Sequence, residues 1–230
     1  MVGTLDCDTG VFTHGDFFTF DYGFDFYATT MMKDPNGRYL IIGWMAAWQS
    51  PFPEQEDGWA TILTIPRELK MREDGKVVTL PPKEYEDMRG EGVHYKDLSL
   101  DKATKLDGVK GNVGELLVEI DTKKSKKFAI ELCTDGEEKT VLSYDEDTKV
   151  MTLDRDKTGA GGKGIRQAEL TPFDILKLRI YLDRSSIEIF VNDGEFVFST
   201  RVYPKPESDN IVFVPQTETL EVSSVDFYTF

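Results

Sequence analysis

Between residues 176 and 198 the apolar residues recur at every second position, and that period leaves few folds open. Leu176, Leu178, Ile180 and Leu182 fall on one face of an extended segment, with Lys177, Arg179, Tyr181 and Asp183 on the other. Ile187, Ile189 and Val191 alternate next. Asn192-Asp193-Gly194 then reads as a hairpin turn, with the glycine supplying a positive φ, before Phe196-Val197-Phe198. Elsewhere too the apolar residues form short period-two runs punctuated by Gly, Asp and Asn rather than helical stripes. The chain therefore reads as all-β, with a sandwich over its later part.

The prolines of Leu80-Pro81-Pro82 cannot join a central strand, and the polar residues after them can form a short helix, so residues 81–95 read as a linker. It divides residues 1–80 from residues 96–230. The strands expected over residues 17–69 make at most one four-stranded unit, too small to be stable as an isolated sheet. That unit is expected to need company. The 42 acidic against 27 basic residues give a net charge of -15, which argues against nucleic acid or an anionic membrane surface as a partner. No run approaches the roughly 18 apolar residues of a membrane span. The first residues have no signal-peptide character, and the two cysteines, Cys7 and Cys133, form no disulfide framework or metal spacing, so a cytoplasmic protein is expected.

Carboxylates and aromatics interleave in Phe20-Asp21-Tyr22-Gly23-Phe24-Asp25-Phe26-Tyr27-Ala28, a combination that carbohydrate sites use to bond hydroxyls while packing on sugar faces. Aromatic strands are more often plain core. Three downstream segments add context: Gly37-Arg38-Tyr39-Leu40-Ile41-Ile42-Gly43-Trp44-Met45, Gly58-Trp59-Ala60, then Leu63-Thr64-Ile65-Pro66-Arg67-Glu68-Leu69. In that order these segments resemble the fifth propeller blade of glycoside hydrolase family 32, the invertases and sucrose-6-phosphate hydrolases. Leu182-Asp183-Arg184-Ser185-Ser186-Ile187-Glu188-Ile189-Phe190-Val191-Asn192-Asp193-Gly194 and Thr200-Arg201-Val202-Tyr203-Pro204 resemble the family's carboxy-terminal sandwich.

The resemblance implies the last blade of a five-bladed β-propeller with its approach strand, followed by a β-sandwich. The parent activity it implies is retaining hydrolysis of a terminal β-fructofuranosyl bond, as in sucrose or its 6-phosphate, with a fructoside as substrate and no cofactor. Asp21 and Asp25 are implied as hydroxyl acceptors, and Tyr27 and Trp44 as walls of the sugar pocket. The family's three catalytic carboxylates lie in Asn-Asp-Pro-Asn-Gly, Arg-Asp-Pro and Glu-Cys motifs on earlier blades, and this sequence matches none of them. Lys33-Asp34-Pro35-Asn36-Gly37 imitates the first, but it falls where the blade has a hairpin and is itself a strong turn sequence. No catalytic residue is therefore assigned, and the chain is expected to be inactive alone. A carbohydrate-binding or assembly module derived from the family is the alternative.

His14 and His94 are isolated, so no metal site is expected. The glycine run 159–164 lacks the Gly-Lys-Ser/Thr ending of a phosphate loop. Pro66-Arg67-Glu68 reads as a structural fixture at a blade exit. The apolar residues of the first unit exceed what one sheet face on one sandwich can hide, which predicts self-association, or docking on the missing blades, through the faces bearing Phe26 and Trp44.

Overall fold

The computed structural model describes residues 1–230, and almost all of its regular structure is strand. A hairpin of β1 (Gly3–Leu5) and β2 (Phe12–His14) comes first. An arm without regular strands then leads into an antiparallel sheet of β3 (Tyr27–Lys33), β4 (Tyr39–Met45), β5 (Ile62–Leu63), β6 (Arg67–Met71) and β7 (Val77–Leu80). Its order is β3-β4-β6-β7, with β5 also paired to β4, which is the up-and-down shape of a single propeller blade. A 3-10 turn at Lys83–Met88 leads on to β8 (Gly92–Leu100), β9 (Gly114–Asp121), β10 (Lys127–Thr134), β11 (Thr140–Asp145), β12 (Val150–Asp154) and β13 (Ile165–Glu169). The chain ends with β14 (Ile175–Asp183), β15 (Ser186–Val191), β16 (Phe196–Arg201), β17 (Asn210–Pro215) and β18 (Leu220–Tyr228).

These later strands form two antiparallel sheets, a five-stranded β13-β12-β11-β10-β17 and a six-stranded β16-β15-β14-β9-β18-β8. Between them lies a single apolar core of 31 buried side chains, all from residues 100–227. Leu176, Leu178, Ile180 and Leu182 all point into it, as the alternation requires. The turn between β15 and β16 goes further than expected: Asn192 and Asp193 take positive φ together with Gly194. Asx residues tolerate that region best among non-glycines.

The outer face of the six-stranded sheet is where simple alternation fails. Every residue of β15 and β16 is buried, on both faces. Tyr181, Phe190 and Val197 make a second apolar cluster there, packed by Ile65 of the blade and Tyr85 of the 3-10 turn. The molecule is thus three layers, with the blade lying against a sandwich sheet that would otherwise be half solvated. The sequence-based linker also shrinks. Residues 92–95 belong to β8, an edge strand whose exposed polar residues disguise it as connecting chain.

On the far side of the blade, all seven residues of β3 are exposed, and β3 is an edge strand of its sheet. Phe26 does not contribute to that exposed face. Its ring lies under the Arg67 guanidinium, 4.6 Å from the centroid, and against Gly43, where a Cβ would come within 2.5 Å of the ring. Exposed apolar groups of the blade and its loops include Tyr27, Met31, Met32, Trp48, Trp59 and Leu63. Asp34-Pro35-Asn36-Gly37 forms the β3–β4 turn: Gly37 has φ +83° and its N–H donates to the Asp34 carbonyl. The Asp34 carboxylate accepts from the Arg38 N–H and Nε, at 2.8 and 2.7 Å, so it holds the turn closed.

Candidate functional site

Two groups of residues stand out, a buried ionic seam between blade and sandwich and an aromatic cluster at the blade's open edge. The seam is built by the arm before β3. Its backbone runs beside β16, with the N–H groups of Tyr22 and Phe24 donating to the carbonyls of Val197 and Ser199 at 2.7 and 2.8 Å. Tyr22 and Phe24 pack their rings on the sandwich core. This is a strand-like addition to a sheet edge, and it explains the alternation of Tyr22, Phe24 and Phe26 with small or acidic residues.

Pairing to β16 carries Asp21 and Asp25 inward. The Asp21 carboxylate accepts from Arg67 Nη1 at 2.9 Å, from Ser199 Oγ at 2.6 Å and from the N–H groups of Gly23 and Ser199. Asp25 accepts from Arg155 Nη1 at 2.6 Å and from the Arg201 N–H at 2.8 Å. Both side chains are 1% exposed. Both carboxylates are engaged and buried inside the protein, so the geometry makes them fasteners of the arm and leaves them closed to a sugar hydroxyl.

Arg67 is the centre of the seam. Completely buried, it reaches Asp21 on the arm and Glu188 Oε2 on β15 at 2.7 Å, and it lies between the rings of Phe26 and Phe190. Burial by itself would lower the Arg67 pKa, but the charges of Glu188 and Asp21 more than reverse that, and the guanidinium stays protonated. Burial pushes the Glu188 carboxyl above its usual range, and the charge of Arg67 draws it back only in part. Glu188 Oε1 also accepts from the Ile65 N–H, fixing the turn into β6. A further bridge joins Glu54 of the blade loop to Arg201 of β16 at 3.0 Å, both buried.

A further buried carboxylate, Glu115 of β9, accepts from Arg89 at 2.6 Å and from Arg179 at 2.5 Å. Burial raises its pKa, but hydrogen bonds and charge from the two arginines outweigh that and hold the folded-state value below the ordinary 4.5. A depressed carboxylate stabilises the fold above the unfolded-state pKa, and that stability is lost as pH falls through the folded value. Wild-type protein should therefore lose melting temperature as pH drops below about 4.5. Glu115→Gln should melt lower at neutral pH and change less on acidification, and parallel curves of melting temperature against pH for the two proteins would contradict this.

The aromatic cluster occupies the other side of the blade. Tyr27 opens β3 and Trp44 lies opposite it on β4, their rings 6.2 Å apart and edge to face. Trp48, in the loop after β4, lies 5.0 Å from Trp44 and is 79% exposed. Register on one sheet thus brings together two of the four residues that the sequence singles out, and the buried pair Asp21 and Asp25 lies on the sandwich side. Sequence reasoning missed Trp48. It falls outside the alternating strand, and only its nearness to Trp44 in the chain could have flagged it.

No helix of this chain is long and apolar enough to cross a membrane. The sequence matches the N-terminal domain of glycosyl hydrolases family 32 over residues 1–82 and the family's C-terminal domain over residues 84–229. It is 33% identical to a sucrose-6-phosphate hydrolase of Staphylococcus xylosus over 92% of this chain and 43% of that protein. It is 37% identical to a raffinose invertase of Escherichia coli over 84% of this chain and 40% of that protein. The chain thus spans well under half the length of these relatives. Its fold follows that of a sucrose-6-phosphate hydrolase from Lactobacillus gasseri, with a TM-score of 0.86 at 22% identity, over 99% of this chain and 46% of the other. With both family domains met in order, and the propeller-plus-sandwich architecture shared, the chain belongs to glycosyl hydrolases family 32.

Proposed function

We propose that this chain is the carboxy-terminal portion of a retaining β-fructofuranosidase acting on sucrose or sucrose-6-phosphate, and that alone it does not turn over. Residues 1–80 form the last blade with its approach, 81–91 the joint and 92–230 the sandwich, whose first strand β8 begins at Gly92. The observation that carries this reading is the match to the two family-32 domains, in order, across one body fastened by buried ion pairs. Tyr27 and Trp44, with Trp48 beside them, are the proposed aromatic contacts for the fructoside. Likeness to bacterial sucrose-6-phosphate hydrolases supports a cytoplasmic location.

Retaining hydrolysis needs a nucleophilic carboxylate and an acid/base carboxyl about 5 Å apart. The family motifs that carry them have no match in this sequence, and the carboxylate of the look-alike Asp34 is engaged with Arg38 in a turn. Purified chain should release no fructose from sucrose or from sucrose-6-phosphate. Turnover that vanished in Asp34→Ala would refute this and make the turn residue a nucleophile.

The exposed β3 edge and its apolar residues support a contact with another copy, or with the blades that precede this one in the family. Light scattering at micromolar concentration should give a mass above that of one chain, reduced by Trp44→Ser. A monomer unaffected by that change would count against the contact. The second reading, a sugar-binding or assembly module without catalysis of its own, is favoured by the same exposed aromatic cluster.

A further inference from the structure

A cavity of about 540 Å³ belongs to neither the seam nor the aromatic cluster. It opens where the arm, the β6–β7 turn and the β15–β16 turn meet. One wall is aromatic: Phe18, Phe20 and Tyr22 from the arm, with Phe196 at the start of β16. Phe18 is 41% exposed. Facing it, Val77 and Thr79 line the cavity from alternate positions of β7, so their side chains share one face of that strand. Thr79 is 3% exposed, and its hydroxyl has no hydrogen-bond partner. A buried hydroxyl without a partner costs stability, so its retention asks for a use.

The charged lining narrows the ligand. Asp16, Asp74 and Glu195 contribute three carboxylates, and Lys76 is the lining cation. Lys76 is already committed to Glu195 at 2.5 Å, and Glu195 is held further by Arg72 at 2.7 Å and by the Thr171 hydroxyl at 3.1 Å. An anionic ligand would meet surplus negative charge, and a wholly apolar one would waste the hydroxyls and carboxylates. An aromatic wall opposite hydroxyl acceptors suits the alternating C–H and O–H faces of a sugar, and the volume falls within the roughly 300–1,000 Å³ of small-ligand sites.

We infer that this cavity is a carbohydrate site, distinct from the Tyr27 and Trp44 cluster, that takes a neutral oligosaccharide of two or three sugar units. The inference rests on the reading in which the chain is a module that binds sugar in its own right. Phe18 and Tyr22 flank one face of the ligand, and the Thr79 hydroxyl bonds it from the opposite side.

Calorimetric titration of the whole chain with raffinose tests it, with sucrose and sucrose-6-phosphate as further probes. Raffinose should bind, and sucrose-6-phosphate should bind more weakly than sucrose. Thr79→Val should weaken raffinose roughly tenfold while raising the melting temperature by about 2–4 °C, since it removes an unpaired buried hydroxyl without changing shape. That opposite movement separates loss of a ligand contact from damage to the fold. Phe18→Ala, at an exposed ring, should weaken binding roughly fivefold or more. Absence of raffinose binding at millimolar concentration would overturn both the cavity and the module reading. Binding abolished by Tyr27→Ala but untouched by Thr79→Val and Phe18→Ala would overturn the cavity alone, placing the sugar at the blade edge.

Discussion

Arg67→Met is expected to destabilise the protein by about 3–5 kcal/mol, the range for breaking a buried ion pair by removing one partner. Methionine fills much of the same space between the Phe26 and Phe190 rings, so packing changes little and the effect isolates the charge. What remains is two carboxylates on the sandwich side, Asp21 of the arm and Glu188 of β15, both shut away from solvent. For a chain of this size the melting temperature should fall by roughly 6–20 °C. Arg67→Lys should recover only part of the loss, because an ammonium cannot reach Asp21, Glu188 and Ser199 with a fixed fork of donors. Combining Arg67→Met with Glu188→Gln should cost less than the two single changes added, since both act on one network. A single Arg67→Met change costing under about 1 kcal/mol would mean that water enters the seam and that the two layers are not bound by charge.

The parts of this fold that the sequence reveals are those governed by one strand and its neighbours. The alternation of β14 is visible because its inner face meets core and most of its outer face meets water. β15 defeats the same logic. Glu188 sits at a position that reads as solvent, and it is buried because Arg67, 121 residues earlier, arrives from another layer. No periodicity within either segment encodes that meeting. Tyr181 is misleading for the same reason, since its polar-side position is covered by Tyr85 and Phe230.

The interleaved Asp21 and Asp25 are a different kind of miss. Carboxylates among aromatics serve a sugar site, but they serve equally an arm that packs rings into a core while pairing its acids with buried arginines. Choosing between the two requires knowing where Arg67, Arg155 and the β16 backbone lie. Tyr27 and Trp44 were easier. Once β3 and β4 are read as a hairpin through Asp34-Pro35-Asn36-Gly37, Tyr27 falls within one residue of the position opposite Trp44, and a bulge between Tyr27 and Thr30, with Ala28 at φ +47°, brings the two into line. The cavity walled by Phe18 and Thr79 could not have been anticipated, because its sides come from the arm, from β7 and from the β15–β16 turn.

Gly23→Ala should produce the other large loss, through sterics rather than charge. A Cβ at Gly23 would stand 2.1 Å from the Ser199 carbonyl oxygen and 2.3 Å from its nitrogen, and both are backbone atoms of β16 with no rotamer to yield. The arm would have to lift. Lifting it stretches the bonds from Tyr22 to Val197 and from Phe24 and Asp25 to Ser199, and it withdraws Asp21 from Arg67. Overpacking with a backbone shift costs about 1–3 kcal/mol, and the loosened ion pair should place this variant at or above the upper end. Gly43→Ala is a useful contrast, because the atoms nearest its Cβ would belong to the Phe26 side chain rather than to backbone. Gly15→Ala should be nearly neutral, with a single neighbour, the Val2 carbonyl, 3.9 Å away. Amide hydrogen exchange should show lost protection at Tyr22, Phe24 and Asp25 in Gly23→Ala while the sandwich core stays protected. Because Phe20 and Tyr22 also wall the cavity, raffinose binding should weaken together with that protection. Full protection of the arm amides in this variant would show that the arm is not clamped at Ser199, and the coupling between blade position and the cavity would fall with it.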